Sequence, residues 1–243
     1  MNTDQTLSTL RALKLNGMAN SYQVIVDCSG RKDLPDGHTM VGMITDAEAD
    51  HRKLRRTESN LKQAKLRYKI DPQEIECSKE RGLTKEQWLI LCECSFIKKG
   101  TNVIILGPTG VGKSAVACAL GKQACYLGYR AIYHNMNKLI EEIRNAKLNG
   151  TYLKFLDQLA KTPVLILDDF ALKQLDREVR VAFYEILEDR ADNGSLIVTS
   201  QLPTANWYDR FGDKTIAEAC MDRMTGNAVK IQLSGESRRT RQK

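Results

Sequence analysis

The sequence predicts an α/β fold, a parallel five-stranded sheet flanked by helices, preceded by a small α-helical N-terminal region. Three observations support this prediction. Short apolar runs recur between residues 103 and 233, helix-length segments separate them, and the N-terminal part shows helical spacing without such runs. Strands that alternate with helices are typical of a parallel sheet with helices on both faces.

The apolar runs are the predicted strands. They are "VIIL" (103–106), "AIY" (131–133), "VLIL" (164–167), "LIV" (196–198) and "VKIQL" (229–233). Because the first four do not alternate apolar with polar residues, we expect both of their faces to be covered. Helices are predicted between the strands at 113–127, at 136–161 with a break near 148–150, and at 174–192.

The N-terminal part predicts helices of a different character. Residues 5–26 have the spacing of an amphipathic helix or helix pair, and residues 46–68 that of a basic helix. The stretch "IDPQEIECSKERGLT" (70–84) indicates a linker, since its Asp71-Pro72 step disfavours helix. The sequence therefore predicts a small helical N-terminal domain at 1–70, a linker at 71–84 and an α/β domain at 85–243.

Composition and charge narrow the class of protein. No run approaches the roughly 20 apolar residues of a membrane span, and the N-terminus lacks an apolar signal region, so we expect a cytoplasmic protein without membrane contact. The formal net charge is +7. Eight Lys and Arg but only one acid, Glu58, lie between Arg52 and Lys69, and the chain ends in "SRRTRQK". Such basic clusters predict a nucleic-acid partner.

The octet "GPTGVGKS" follows "NVIIL" directly and fits the phosphate-binding pattern G-x-x-x-x-G-K-[ST]. Gly-rich backbone lets consecutive amide groups point at one phosphate, and the following helix adds its positive end. The lysine reaches the phosphate oxygens, and the last hydroxyl takes a Mg²⁺ position. The motif recurs by chance, but a strand before it and a helix after it favour an ATP site. The predicted site residues are Gly107, Pro108, Thr109, Gly110, Val111, Gly112, Lys113 and Ser114.

Polar residues end two further strands. Asp168 and Asp169 follow "VLIL", where Asp168 is placed to hold Mg²⁺ and Asp169 to orient or deprotonate the attacking water. A solvated turn is the alternative for this pair. Gln201 ends "LIVTSQ", where it would sense the γ-phosphate; an ordinary polar turn is equally consistent with it.

With these motifs in view, the chain resembles the IstB/DnaC-like group of AAA+ ATPases, and within it the IstB proteins, which are transposition helper ATPases of insertion sequences. The resemblance covers nearly the whole chain. It rests on "LRALKLNGMA" (10–19), "EADHRKLRR" (48–56), "NVIILGPTGVGKS" (102–114), "VLILDDF" (164–170), "IVTSQLP" (197–203), "DRM" (222–224) and "GESRR" (235–239).

The resemblance implies roles for individual residues. Lys113 and Ser114 would be the Walker A pair, Asp168 the Walker B carboxylate and Gln201 the sensor-1 residue. Asp169 stands where most AAA+ proteins have Glu, so we expect slow hydrolysis. Arg223 in "MDRM" resembles the arginine finger, which acts on the ATP of a neighbouring subunit. Arg239 resembles the sensor-2 arginine, with Arg238 as the alternative.

The resemblance also suggests DNA contacts. The segment 136–161 lies where the initiator and loader branch carries an extra helix that touches DNA, and the N-terminal helix adds a second basic stretch. The candidates are Lys138, Arg144, Lys147 and Lys154, and Arg52, Lys53, Arg55 and Arg56. A solvated helix face is the alternative for each group. Since no base-reading motif is visible, we expect contacts to the DNA backbone.

These features predict an ATP- and Mg²⁺-dependent transposition helper, with 1–70 as its DNA- or partner-binding domain and 85–243 as its AAA+ ATPase domain. It would assemble into a ring or spiral on duplex DNA and deliver that target to an integrase-type transposase. One alternative is a DnaC-like helicase loader, which would favour single-stranded DNA. A small-molecule P-loop kinase is a second alternative, but the Arg-rich lid usual in such kinases is not visible in the sequence.

Overall fold

The computed structural model describes residues 3–28, 34–191 and 193–238. The chain divides into two compact units, with the boundary between Ser59 and Asn60. Among the residues described, the first unit contains helices α1 (Thr3–Ala12) and α2 (Asn16–Cys28) and most of α3 (Gly37–Ala64). The predicted helix pair within residues 5–26 is therefore confirmed.

A buried carboxylate organises the first unit. Glu48 of α3 accepts hydrogen bonds from the N–H groups of Gly17 (2.7 Å) and Met18 (3.1 Å) at the start of α2. A negative charge is stabilising at this end of a helix, where backbone N–H groups have no partner in the helix. Gly17 permits the close approach, because a Cβ there would lie 2.5 Å from the carbonyl oxygen of Ala47.

Helix α3 is displaced from the prediction of 46–68. It begins at Gly37, after Asp36, whose carboxylate accepts the N–H groups of His38 (3.0 Å) and Thr39 (3.1 Å) as an N-cap. It ends at Ala64 because the next residue, Lys65, has a left-handed backbone with φ of 49°. None of the helices described is long and apolar enough to cross a membrane.

The second unit contains the predicted parallel sheet. Its strands are β1 (Asn102–Leu106), β2 (Ala131–Asn135), β3 (Val164–Phe170), β4 (Ser195–Ser200) and β5 (Ala228–Gln232). Their order is β2-β3-β4-β1-β5, and every pairing is parallel. All five predicted strands are confirmed, and the carboxyl ends of β1, β3 and β4 lie side by side at the centre of one edge.

Helices cover both faces of this sheet. The helices are α4 (Lys85–Cys92), α5 (Ser95–Lys98), α6 (Lys113–Tyr126), α7 (Met136–Leu148), α8 (Tyr152–Ala160), α9 (Arg177–Arg190), α10 (Tyr208–Phe211) and α11 (Lys214–Thr225). Val103 and Ile105 of β1 pack in a core with α4, α5 and α6, whereas Ile104 and Leu106 pack with α7, α8, α9 and α11. Burial on both faces explains why these strands are continuously apolar.

The segment 71–84, predicted as a linker, lies within the second unit. Pro72–Glu74 forms a 3₁₀ turn, and Ile75 and Leu83 are buried in the core that contains α6. The indole N–H of Trp88 donates to the carbonyl of Pro72 at 2.9 Å. The assignment of 1–70 to DNA or partner binding and of 85–243 to ATPase activity stays a prediction.

Candidate nucleotide-binding site

The loop between β1 and α6 has the backbone that the octet predicts. Gly107 and Gly112 have φ values of 149° and 95°. A Cβ at Gly107 would lie 2.4 Å from the carbonyl oxygen of Leu233, and one at Gly112 would lie 2.9 Å from the guanidinium of Arg81. Both positions therefore require glycine. Helix α6 begins at Lys113, so its free N–H groups face the loop.

Lys113 extends back over this loop. The residue is 5% exposed, and its Nζ donates to the carbonyl oxygens of Gly107 and Pro108, both at 2.8 Å. The ammonium group is thus held inside the concave side of the loop. That is the position from which a lysine can reach phosphate oxygens bound by the loop.

The two acids of β3 lie at an irregularity in the sheet. The β3–β4 register shifts between Leu167 and Phe170, and Asp169 has a left-handed backbone with φ of 60°. Such a bulge redirects side chains that would otherwise alternate across the sheet. Thr199 of β4 shows the result, because its Oγ1 donates to Asp168 Oδ1 (2.6 Å) and accepts the N–H of Asp169 (3.1 Å).

Asp168 is the centre of a buried polar network. It is fully buried, and its Oδ1 also accepts the hydroxyl of Ser114 at 2.6 Å. Its Oδ2 accepts the hydroxyl of Tyr133 at 2.6 Å. Burial and this hydrogen bond raise the pKa of Tyr133. The network joins Ser114, at the start of α6, to strands β2, β3 and β4.

The oxygen atoms of this network suit Mg²⁺. Carboxylate and hydroxyl oxygens are ligands that this ion prefers, and it usually keeps several waters as well. Ser114 and Asp168 are the residues that would hold it directly or through water. Asp169 lies beside them, where Asn135 Nδ2 donates to its Oδ2 at 3.1 Å.

A cavity of about 590 Å³ opens beside the loop and the acids. Its polar residues include Gln201, whose Oε1 accepts the hydroxyl of Thr109 at 2.6 Å. Its lining residues come from five parts of the chain: Tyr68, Lys69, Ile70, Glu74, Ile75, Glu76 and Arg81 after α3; Thr109, Gly110, Gly112, Lys113, Ser114 and Ala115 from the loop and α6; and Asp169, Gln201 and Arg238, each from a different place. Tyr68, Ile70 and Ile75 give the segment after α3 an aromatic and apolar share of this lining.

Sequence reasoning missed several residues of this site. Tyr133 lies in the middle of β2 and Asn135 at its end, and this strand carries no recognised motif, although a polar residue at a strand's carboxyl end was a usable signal. Arg81 lies in the segment interpreted as a linker. It is 6% exposed, and its guanidinium donates to the carbonyl of Val111 at 3.4 Å. Burial lowers the pKa of Arg81.

The predicted arginines are in different places. Arg223 does not line the cavity; its guanidinium pairs with Glu188 and lies 5.3 Å from the ring centroid of Tyr184. Arg238 does line it: its N–H donates to the carbonyl of Gly110 at 3.0 Å, and its guanidinium pairs with Glu76 at 2.6 Å. Arg239 lies outside the described residues.

The predicted DNA contacts lie on helices α3, α7 and α8, and none of them is a lining residue of the cavity. In the first unit Arg52, Lys53, Arg55 and Arg56 are exposed, and Arg52 pairs with Glu48 at 2.8 Å. On α7, Arg144 pairs with Asp176 (2.5 Å) and Lys147 with Glu178 (3.3 Å). Lys138 and Lys154 are exposed. Surface pairs of this kind are weak, so they leave the lysines and arginines able to contact phosphate.

Comparison with known proteins gives a consistent result. The family model described as "IstB-like ATP binding protein" matches residues 8–243. The insertion sequence ATP-binding protein y4pL of Sinorhizobium fredii is 35% identical over 238 residues, 98% of this chain and 97% of that protein. Two solved structures show the same fold. AMPPCP-bound DnaA from Aquifex aeolicus has a TM-score of 0.58 at 20% identity, and the match covers 72% of this chain and 53% of the DnaA chain. The DnaC helicase loader has a TM-score of 0.57 at 19% identity, and the match covers 70% of this chain and 100% of the DnaC chain.

Proposed function

Because the chain belongs to the IstB-like family of ATP-binding proteins, we propose that it is an ATP-hydrolysing, DNA-binding helper of transposition that works in the cytoplasm. It assembles into a ring or spiral on duplex target DNA and recruits or stimulates an integrase-type transposase. The observation that carries the ATPase part is the 2.6 Å contact between Ser114 and Asp168 beside the buried Lys113. The link to transposition rests on family membership.

The residues of the site have separate tasks in this proposal. The loop amides and Lys113 bind the phosphates, and Ser114 and Asp168 would hold Mg²⁺, whose charge would stabilise negative charge on the transferred phosphoryl group. Asp169 orients the attacking water, and Gln201 contacts the γ-phosphate. The energy of hydrolysis changes assembly and partner contacts, and no covalent chemistry takes place on DNA.

Asp169→Asn is expected to leave ATP binding intact and to slow hydrolysis at least about 100-fold, since general-base and water-positioning groups contribute factors of that size. The amide has the shape of the carboxylate but does not accept a proton. ATP hydrolysis is measured by phosphate release, and binding by calorimetry. Size-exclusion chromatography with ATP should show the assembled form accumulating in this variant. Wild-type turnover would assign water positioning to another residue.

The DNA part is tested by comparing a duplex with a single strand of equal length. We expect the protein with Mg²⁺ and ATP to bind the duplex at least about tenfold more tightly, with an affinity that falls steeply as salt rises because the contacts are to phosphate. Fluorescence anisotropy measures both affinities. Lys113→Ala, expected to lose ATP, is the matched control for ATP dependence of the binding.

Two other outcomes would redirect the proposal. A clear preference for single-stranded DNA would favour a helicase loader, which a fold shared with DnaC does not by itself distinguish from a transposition helper. An ATPase rate near zero that rises only when a small-molecule acceptor is added would favour a kinase. Stimulation of strand transfer by the transposase encoded beside this protein would support the transposition role directly.

A further inference from the structure

Arg67 is a positively charged residue that contacts both acids of β3. Its Nη1 lies 3.5 Å from Asp168 Oδ2 and 3.8 Å from Asp169 Oδ2. A hydrogen bond with Tyr133, whose hydroxyl also bonds Asp168, raises the pKa of Arg67. The guanidinium therefore joins the same network as the residues that would hold Mg²⁺, although Arg67 belongs to none of the motifs recognised in the sequence.

The chain on either side of Arg67 is anchored in the second unit. Before it, Asn60 Nδ2 donates to the carbonyl of Tyr129 at 3.1 Å, and Leu66 packs where Gly121 of α6 leaves room, since a Cβ there would lie 3.3 Å from Leu66 Cδ2. After it, Asp71 pairs with Lys122 of α6 at 2.7 Å. These contacts hold the backbone of residue 67 beside the acids independently of its side chain.

The guanidinium of Arg67 would compete with a metal ion for the carboxylate of Asp168. Asp168 is fully buried, and a buried carboxylate requires a partner of opposite charge or strong hydrogen bonds. Arg67 supplies that charge at Oδ2. A magnesium ion held at the same carboxylate would repel the guanidinium, because two like charges within a few ångströms in a partly buried site interact strongly. The carboxylate therefore favours one of the two cations at a time.

The guanidinium is able to leave. The Arg67 side chain is 42% exposed, and the next residues, Tyr68 and Lys69, line the nucleotide cavity. A change of rotamer would move the charge from the acids into the cavity without disturbing the anchored backbone. Bound triphosphate would attract it there, since guanidinium groups bind phosphate oxygens well.

We propose that Arg67 is a built-in counter-ion of Asp168 and Asp169 that competes with Mg²⁺, and that it thereby sets the metal concentration at which this protein takes up nucleotide. This inference rests on the proposed ATPase function. It makes Arg67 a positioning residue for the acids. Nucleotide uptake in the cavity then depends on Arg67, which lies three residues after the end of helix α3.

The experiment titrates Mg²⁺ at a fixed, low concentration of a fluorescent ATP analogue and records its binding to the full chain. We expect Arg67→Ala to lower the Mg²⁺ midpoint about tenfold, because it removes a positive charge that would repel the ion across a few ångströms in a partly buried site. Arg67→Lys, which keeps the charge, should stay close to wild type. Paramagnetic resonance of free Mn²⁺ in the presence of ATP gives a second, direct readout of the metal.

Lys65→Ala is the matched control, because it removes one positive charge from the same segment at an exposed residue. Its midpoint should equal that of wild type. Arg67→Gln keeps the inference testable should the alanine variant fail to fold, as judged by circular dichroism. A midpoint unchanged or raised in Arg67→Ala and Arg67→Gln would overturn the inference alone. A wild-type protein that does not bind nucleotide with Mg²⁺ would instead refute the proposed function.

Discussion

Lys113→Ala should lower the affinity for ATP with Mg²⁺ by about 100-fold or more, since hydrogen bonds to charged groups contribute about 1.5–3 kcal/mol each and in the proposed mechanism this ammonium would bond more than one phosphate oxygen. The side chain is buried inside the loop, with its Nζ 2.8 Å from the carbonyls of Gly107 and Pro108. Water entering the space left by alanine would not supply the lost charge. Titration calorimetry measures the affinity.

The same variant should fail to assemble, because ATP fills the cleft between subunits in the proposed mechanism. Size-exclusion chromatography with and without ATP measures this. Lys98→Ala removes an exposed lysine at the end of α5 that lines no part of the nucleotide cavity, so it should behave as wild type. An ATP affinity that Lys113→Ala leaves unchanged would refute the phosphate-binding role of the loop.

The central sheet was predictable because burial of both faces of a strand produces a recognisable residue pattern. A strand covered on both faces must be apolar at consecutive positions, so β1, β3 and β4 stand out as short apolar runs. The loop after β1 was predictable for a related reason. Amides that converge on phosphate require glycine at positive φ, and the structure has Gly107 and Gly112 in that conformation.

The arrangement of the acids was less predictable. Consecutive strand residues point to opposite faces, yet Asp168 and Asp169 both lie near Thr199 and Arg67 because β3 has a bulge there. No local residue pattern in the sequence predicts that bulge. Nor does the sequence show that Tyr133 will contact Asp168, since this depends on β2 pairing with β3.

The segment after α3 shows a different limit. Its turn residues and its Asp-Pro step indicate a linker, and local signals of this kind do not reveal tertiary packing. Ile75 and Leu83 are nevertheless buried, and Arg81 approaches the phosphate-binding loop. Isolated apolar residues among polar ones gave little warning, because their partners are far away in the chain.

Arg223→Ala is expected to lower the rate of ATP hydrolysis by about 10³-fold while ATP binding persists, since arginine fingers contribute factors of about 10³–10⁵. The side chain does not line the cavity of its own chain, as expected for a residue that acts on a neighbour's ATP. Its pairing with Glu188 is on the surface, where the two side chains are 27% and 48% exposed. Such a pair adds little stability, so the variant should fold. Lys214→Ala, an exposed change on the same helix, is the control.

Mixing separates action between subunits from action within one. Arg223→Ala keeps an intact nucleotide site, and Lys113→Ala keeps an intact Arg223, so each is inactive alone but the pair forms a complete site where they meet. Because Lys113→Ala does not assemble through its own site, head-to-tail interfaces form only at the ATP bound by Arg223→Ala subunits, and at equal concentrations about half of these would receive their arginine from Lys113→Ala. ATPase activity should therefore return to a substantial fraction of wild type, with a maximum near equal mixing. Activity that stays at the level of Arg223→Ala at every ratio would place the essential arginine elsewhere, because a finger supplied by the neighbour must be replaceable by the neighbour.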